Sequence, residues 1–166
     1  MTLFRSIIIL LLCLPLHANA GSLQAGQMAP LVDLPSLTES GENVSLLDLR
    51  GSVVYVDFWA SWCGPCRVSF PQLETIRAEL NEQGFEVLAI NVDEYPEDAM
   101  KFLAEVPVSY PVVRDAVGTS PQAYGILGMP TGFLIDREGI VRKVHPGFRK
   151  SDGEKLRAEV IELLKE

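Results

Sequence analysis

The chain has 166 residues, 48% hydrophobic and 22% charged, and its 22 acidic against 14 basic side chains give a formal charge of −8. That length and composition fit one globular domain with a core of its own. The acidic balance and the lack of a basic tract exclude nucleic acid and anionic membrane surfaces as expected partners.

The first twenty residues stand apart. MTLFRS carries Arg5 and the α-amino charge, residues 7–14 are an unbroken apolar run, and Pro15 leads into Ala18-Asn19-Ala20. This small-x-small ending is the pattern that a signal peptidase accepts. The apolar run, with a proline at its end, is well short of the about 20 residues that span a bilayer. Leu12 also stands where a lipoprotein signal ahead of Cys13 would want a small residue. Residues 1–20 are therefore expected to be a signal peptide cleaved near Ala20, and residues 21–166 a single domain. Losing Arg5 takes the charge from −8 to −9, and Cys13 and His17 leave with it. Cys63, Cys66 and His145 are then the remaining soft metal-ligand candidates.

Residues 21–29 read as a flexible lead-in. PLVDLPSLTESGENVSLLDLRG reads as two short strands, the second around residues 44–46, joined by a turn at Ser40-Gly41. SVVYVDFWA, β-branched and aromatic with one charge, predicts a strand buried on both faces. From Cys63 onward, Val68, Leu73, Ile76 and Leu80 suit a helix bent at Pro71, which lacks a backbone donor, and stopping near Gly84. FEVLAINVD predicts a second buried strand, and PEDAMKFLAEV a helix opened by Pro96 and acidic residues. YPVVRD gives a short strand or extended segment and residues 120–124 a short helical turn. PTGFLIDREGIVRKVHPG predicts two strands joined at Arg137-Glu138-Gly139. Residues 151–166 close the chain as an amphipathic helix capped by Ser151 or Asp152, with Leu156, Val160, Ile161 and Leu164 as its stripe. Alternating β and α elements that end in an antiparallel hairpin imply an α/β fold, a mixed central β-sheet with helices on both faces.

FWASWCGPCRVSFP places Cys63 and Cys66 between a buried strand and a helix. A structural disulfide here would close too short a loop to stabilise much, and a domain of this size needs no staple. Structural zinc wants four nitrogen or sulfur ligands, and only His145 remains to join the pair, so no metal is expected. Position favours chemistry instead. A cysteine at the first turn of a helix meets unpaired N–H groups and the positive end of the dipole, which stabilise its thiolate. A second cysteine one turn on can attack a mixed disulfide formed at the first. Gly64 permits the tight turn and Pro65 fixes φ at the helix start.

VDFWASWCGPC resembles the active-site segment of thioredoxin. Together with the N-terminal hairpin, the signal peptide and GMPTGFLID, it resembles the secreted TlpA-like and ResA-like branch of the thioredoxin superfamily, over about residues 25–166. The resemblance implies a thioredoxin fold with an added N-terminal β-hairpin, and thiol:disulfide exchange with Cys63 as nucleophile and Cys66 as resolving thiol. It implies a cis-proline at Pro130, flanked by Met129 and Thr131, where the backbone pairs with an extended substrate. Trp62 resembles the exposed family tryptophan that shields the cysteines. With Gly64 and Pro65 these residues make the expected substrate-binding set. No cofactor is expected.

Two positions depart from the relatives. TlpA-like reductases carry a glutamate three residues after the second cysteine, where this chain has Ser69. Thioredoxin has a buried aspartate on the preceding strand, matched here by Asp57, while its companion lysine is replaced by Ala89. A carboxyl on an otherwise apolar strand has a raised pKa and suits a general base for Cys66. Alternatively, Asp57 only bonds backbone at a strand end. Trp59 reads as core, His145 as a surface or loop residue, and Glu97, Asp98 and the other acidic residues as a solvated face.

The expected function is that of a periplasmic or otherwise extracytoplasmic thiol:disulfide oxidoreductase. CGPC resembles the reducing end of the superfamily, near −270 mV against about −120 mV for the oxidant DsbA. The resemblance thus implies a membrane electron donor of DsbD or CcdA type, an oxidised client such as apocytochrome c, and a role in cytochrome c biogenesis. A monomer is expected. The lead-in also resembles redoxins and peroxiredoxins, but Ala60 stands where a peroxidatic cysteine is preceded by threonine or serine. A redox-inactive thioredoxin-fold binding module is the remaining alternative, against which the intact Cys63, Cys66 and Pro130 set argues.

Overall fold

The computed structural model describes residues 22–38 and 42–166. The expected signal peptide and the Ser40-Gly41 turn lie outside the described residues. Strands β1 (Asp33–Pro35) and β2 (Asn43–Ser45) pair antiparallel as the N-terminal hairpin. There follow β3 (Val53–Trp59), α1 (Cys66–Leu80), β4 (Phe85–Asn91), α2 (Pro96–Glu105), β5 (Val112–Arg114), α3 (Thr119–Tyr124), β6 (Thr131–Ile135), β7 (Val141–Pro146) and α4 (Asp152–Leu163). The five longer-range strands form one sheet in the order β5-β4-β3-β6-β7. β3 is parallel to β4 and antiparallel to β6, so the sheet is mixed, as the thioredoxin fold requires.

β3 is the axis of the molecule, and all seven of its residues are buried. Side chains alternate across a strand. Val53, Tyr55 and Trp59 pack against α1, α2 and α4, among Phe70, Leu73, Phe102, Leu156 and Val160. Val54, Val56 and Phe58 face the other way, toward Tyr124 of α3, Val32 and Leu46. Asp57 shares the parity of Tyr55 and Trp59, which puts its carboxyl under α1. Phe70 is fully buried and in ring contact with Trp59, Phe102 and Tyr110; truncating such a side chain costs about 3–5 kcal/mol.

Several local expectations change. The helix begins at Cys66 rather than Cys63, because Pro65 occupies the cap position at φ −62° and a residue preceding proline, here Gly64, resists helical backbone. Its buried face includes Phe70, while Val68 is only partly buried. The helix continues through Pro71 and gives way to a 3₁₀ turn, Asn81–Gln83, which ends at Gly84 with φ +98°, a conformation that favours glycine. Residues 22–29 are docked rather than a flexible lead-in: the N–H groups of Leu23, Gly26 and Ala29 bond to the carbonyls of Tyr124, Val141 and Gly139. β2 starts and ends one residue earlier than expected, and Leu46 is a buried anchor just beyond it. At α4, Ser151 holds the cap position without a side-chain cap bond, and Asp152 accepts from the Arg149 N–H instead. Leu163 is buried there, while Ile161 and Leu164 are half-buried.

Two charge expectations are corrected as well. Asp93, Asp115 and Asp136 are not part of a solvated face but buried, each accepting backbone N–H groups of a loop. His145 is neither a loop nor a surface residue. It lies within β7, its side chain 17% exposed, with Nε2 2.9 Å from Glu159 Oε2.

Candidate active site

The carboxyl end of β3 and the start of α1 bring Cys63 and Cys66 together as a disulfide, with Cα atoms 5.4 Å apart. Cys63 sits in the turn ahead of α1, and its sulfur accepts the Cys66 N–H at 3.2 Å. That N–H is shared with the Cys63 carbonyl at 3.1 Å, and together with the helix dipole it favours negative charge on sulfur. Cys63 is 3% exposed and Cys66 fully buried. The edge of the pair is formed by Gly64 and Pro65, both exposed, and by Trp62, 70% exposed.

β6 supplies the second wall. The Met129–Pro130 peptide is cis. The Pro130 carbonyl accepts from Gly147 N–H at 2.8 Å, and Thr131 Oγ1 donates to the Gly128 carbonyl at 2.7 Å, so this loop is fixed at both ends. Met129, Pro130 and Pro65 line a cavity of about 530 Å³ that continues over Val144, His145 and Phe148.

Beneath α1 lies Asp57. It is fully buried, and neither carboxyl oxygen has a hydrogen-bond partner. Ser69, one turn beyond Cys66 on the buried face of α1, lies against it but donates its hydroxyl proton to the Cys66 carbonyl at 3.2 Å. Burial pushes the Asp57 carboxyl up to about 8, and the Ser69 hydroxyl opposes that only in part. The reading of Asp57 as a backbone-bonding strand-end residue therefore finds no bond to rest on. Across β4 its register partner is Ala89, a methyl group, so β4 offers no cation there to offset the burial. Trp59 is core as expected, its ring 4.7 Å from that of Phe70, edge-on, and 4.8 Å from that of Phe102, tilted.

Two features escape a reading of the sequence. Asp93, just past β4, accepts from the Ser61 N–H and hydroxyl and from the Asn91 side-chain amide, tying down the loop that carries Trp62 and Cys63. Polar residues closing an apolar strand, in NVD, are the available signal. The His145–Glu159 pair has none, since its members are on different elements. Ala60, three residues ahead of Cys63, is fully buried just past β3.

Residues 24–160 match the Redoxin family. The chain is similar to the thiol-disulfide oxidoreductase ResA of Halalkalibacterium halodurans, 34% identical over 148 residues that cover 89% of this chain and 81% of the relative. It is also similar to ResA of Bacillus subtilis, 35% identical over 130 residues covering 78% of this chain and 72% of the relative. Among solved structures it resembles a Chlorobium tepidum chain described as a thiol:disulfide interchange protein DsbE, at 49% identity and a TM-score of 0.82, covering 86% of this chain and 99% of the other. With a cysteine pair at the head of a helix, a cis Met129–Pro130 peptide and these likenesses along the described chain, the protein belongs to the Redoxin family of the thioredoxin superfamily, as a ResA-like thiol-disulfide oxidoreductase.

Proposed function

We propose that the protein reduces disulfides of extracytoplasmic proteins, with Cys63 as nucleophile, Cys66 as resolving thiol and Asp57 as the base that serves Cys66. The observation that carries this reading is the pairing of an N-terminal helix cysteine with a buried, unpartnered carboxyl under the same helix turn. In the reduced protein the Cys63 thiolate attacks one sulfur of the client disulfide, and the other sulfur leaves as a thiolate. Cys66 then loses its proton to Asp57 and attacks the Cys63 sulfur. The Cys63–Cys66 bond forms, the mixed disulfide breaks, and the second client sulfur departs to take up a proton. Two electrons have passed to the client. The disulfide described here is the product of that cycle.

Trp62, Gly64 and Pro65 beside the pair, with Met129, Pro130 and Thr131, are the surface we assign to an extended client strand; exposure of Trp62, Gly64 and Pro65 and the cavity lined by Pro65, Met129 and Pro130 support it. Supporting the compartment are the signal-like residues 1–20 and a similar solved chain from Corynebacterium glutamicum described as a secreted thiol-disulfide isomerase, 27% identical at a TM-score of 0.74. Among the described residues no helix is long and apolar enough to cross a membrane. An oxidising compartment cannot recharge a reductant, so the cycle calls for a membrane electron donor of DsbD or CcdA type. An apocytochrome c is a fitting client, and the protein works as a monomer.

The test is the redox potential of the Cys63–Cys66 couple, read by equilibration with defined glutathione mixtures. A value near about −270 mV supports the reductant role, and one near about −120 mV would make the protein an oxidant instead.

A further inference from the structure

With 22 acidic against 14 basic side chains the protein is acidic overall, yet the turn after β7, PGFRKSD, carries two adjacent cations, Arg149 and Lys150. Gly147 turns the chain there with φ +87°, a conformation that favours glycine. Its N–H donates to the Pro130 carbonyl at 2.8 Å, which holds the turn against the cis peptide. Phe148 is buried and Arg149 emerges exposed beside it. In the first turns of α4, exposed Lys155 precedes the buried Leu156. Arg149 and Lys155 both line the cavity of about 530 Å³ that begins at Pro65 and Pro130, together with the apolar Val144, Phe148 and Leu156. A concave, largely apolar wall with a few placed charges is the usual form of a ligand site.

The other charged or titratable groups of the cavity are already engaged. Asp152 accepts the Arg149 N–H at 2.7 Å and stands in the first turn of α4, where the helix dipole offsets its charge. His145 Nε2 lies 2.9 Å from Glu159 Oε2, and burial lowers the imidazole from its ordinary value, which leaves the ring neutral at neutral pH. Lys155 Nζ is 4.0 Å from Glu159 Oε1, a loose contact for a side chain that is 70% exposed. Among the described residues the Arg149 guanidinium has no hydrogen-bond or ion-pair partner. We propose that this cavity is a carboxylate subsite for the disulfide partner, in which Arg149 and Lys155 hold an acidic group about two residues from the sulfur that meets Cys63. The proposal rests on the reading of Cys63 as the nucleophile in disulfide reduction.

Pro65 is two residues beyond Cys63, at most about 7 Å of chain. A partner extended from Cys63 past Pro65 and Pro130 advances about 3.3 Å per residue, so its second or third side chain comes over the cavity. A guanidinium offers a carboxylate two parallel N–H bonds, and the apolar wall of Val144, Phe148 and Leu156 lessens competition from water. The acidic group can belong to an Asp or Glu of a protein client or to the carboxylate of a small thiol. Binding it adds no covalent step: it raises the rate of capture at Cys63 and leaves the exchange itself unchanged. The overall charge of −8 acts in the opposite sense, since at long range it repels an acidic partner and attracts a basic one. A preference for acidic partners therefore has to come from the cavity.

The test is the rate at which the reduced protein captures matched peptides, at about 0.15 M salt, where exposed charges more than about 8 Å apart are largely screened. Each peptide carries one cysteine as its 2-thiopyridyl disulfide, with Glu, Gln or Lys two residues away on either side. Attack by Cys63 forms the mixed disulfide with the peptide and releases 2-thiopyridone, whose absorbance is followed. The Glu peptide is expected to react about 10-fold faster than the Gln peptide, a gain between that of an exposed ion pair and that of a buried charge-assisted bond, and the Lys peptide slowest. Arg149→Ala combined with Lys155→Ala brings the Glu to Gln ratio close to one, Arg149→Lys keeps part of it, and Arg149→Glu turns the preference to Lys. Oxidised glutathione and its methyl ester separate the two sources: an Arg149-dependent loss on esterification extends the subsite to small thiols, and no loss beside a Glu preference confines it to protein clients. Equal capture of the Glu and Gln peptides, or fastest capture of the Lys peptide, would overturn the subsite and spare Cys63 as nucleophile. A Glu preference that survives both Arg149→Ala and Arg149→Glu also overturns it. Capture of none of the peptides would remove the nucleophile reading and the subsite with it.

Discussion

The N–H of Cys66 points at the Cys63 sulfur across 3.2 Å. The same group remains available to a Cys63 thiolate, whose negative charge it stabilises better than neutral sulfur. Among the described residues no N–H is bonded to the sulfur of Cys66, which is fully buried at the start of α1. The two cysteines are thus unequal before any client arrives.

Cysteine variants should report that inequality. Cys66→Ser is expected to accumulate long-lived mixed disulfides at Cys63, because the resolving attack is gone, and Cys63→Ser to capture almost nothing. Non-reducing electrophoresis after exposure to an oxidised client reads both. Equal trapping by the two variants would contradict the assignment of nucleophile and resolver.

Stability should carry the mark of Asp57. Its folded-state value near 8 lies above the ordinary 3.8. Between those values the folded state holds a proton that the unfolded state has released, so stability falls as pH rises from about 4 to 8. Asp57→Asn removes this loss. In the oxidised protein the variant should equal wild type near pH 4 and exceed it by up to about 4 kcal/mol at pH 7. Urea unfolding at a series of pH values measures the difference. A gap that stays constant over this range would mean that the carboxyl is ionised in the fold.

Asp93 is expected to matter through the loop it ties down. Asp93→Ala leaves the Ser61 N–H and the Asn91 amide without their acceptor. The cost should be about 1–3 kcal/mol, together with faster amide exchange at Ser61 and Trp62. Unchanged exchange there would mean that the loop is held by other contacts.

The sequence carried the frame of this molecule because its strands are nearly pure apolar runs and its punctuation is chemical. SVVYVDFWA is buried along its whole strand, Gly84 ends the 3₁₀ turn after α1 with a positive φ, and WCGPC with MPT marks the two walls of the site. What was not legible depends on partners far apart in the chain. His145 reads as loop beside Pro146, yet Glu159 and the Tyr55 ring hold it inside the sheet. Residues 22–29 look like a tail because their binding is through backbone to Gly139, Val141 and Tyr124, which side-chain patterns do not record. Asp93, Asp115 and Asp136 look like surface charge because the loop N–H groups they accept are invisible in composition.

The most direct test of the account is the rate at which Cys66 resolves a mixed disulfide at Cys63, followed in single turnovers from pH 6 to 9 in Asp57→Asn and Ser69→Ala. The buried carboxyl should serve as the base, and the Ser69 hydroxyl, which does not titrate near neutral pH, should not. Asp57→Asn is therefore expected to slow resolution by about 10- to 1000-fold around neutral pH, and Ser69→Ala to change it little. Wild-type kinetics in Asp57→Asn across that range would contradict the account and make the carboxyl a structural feature alone.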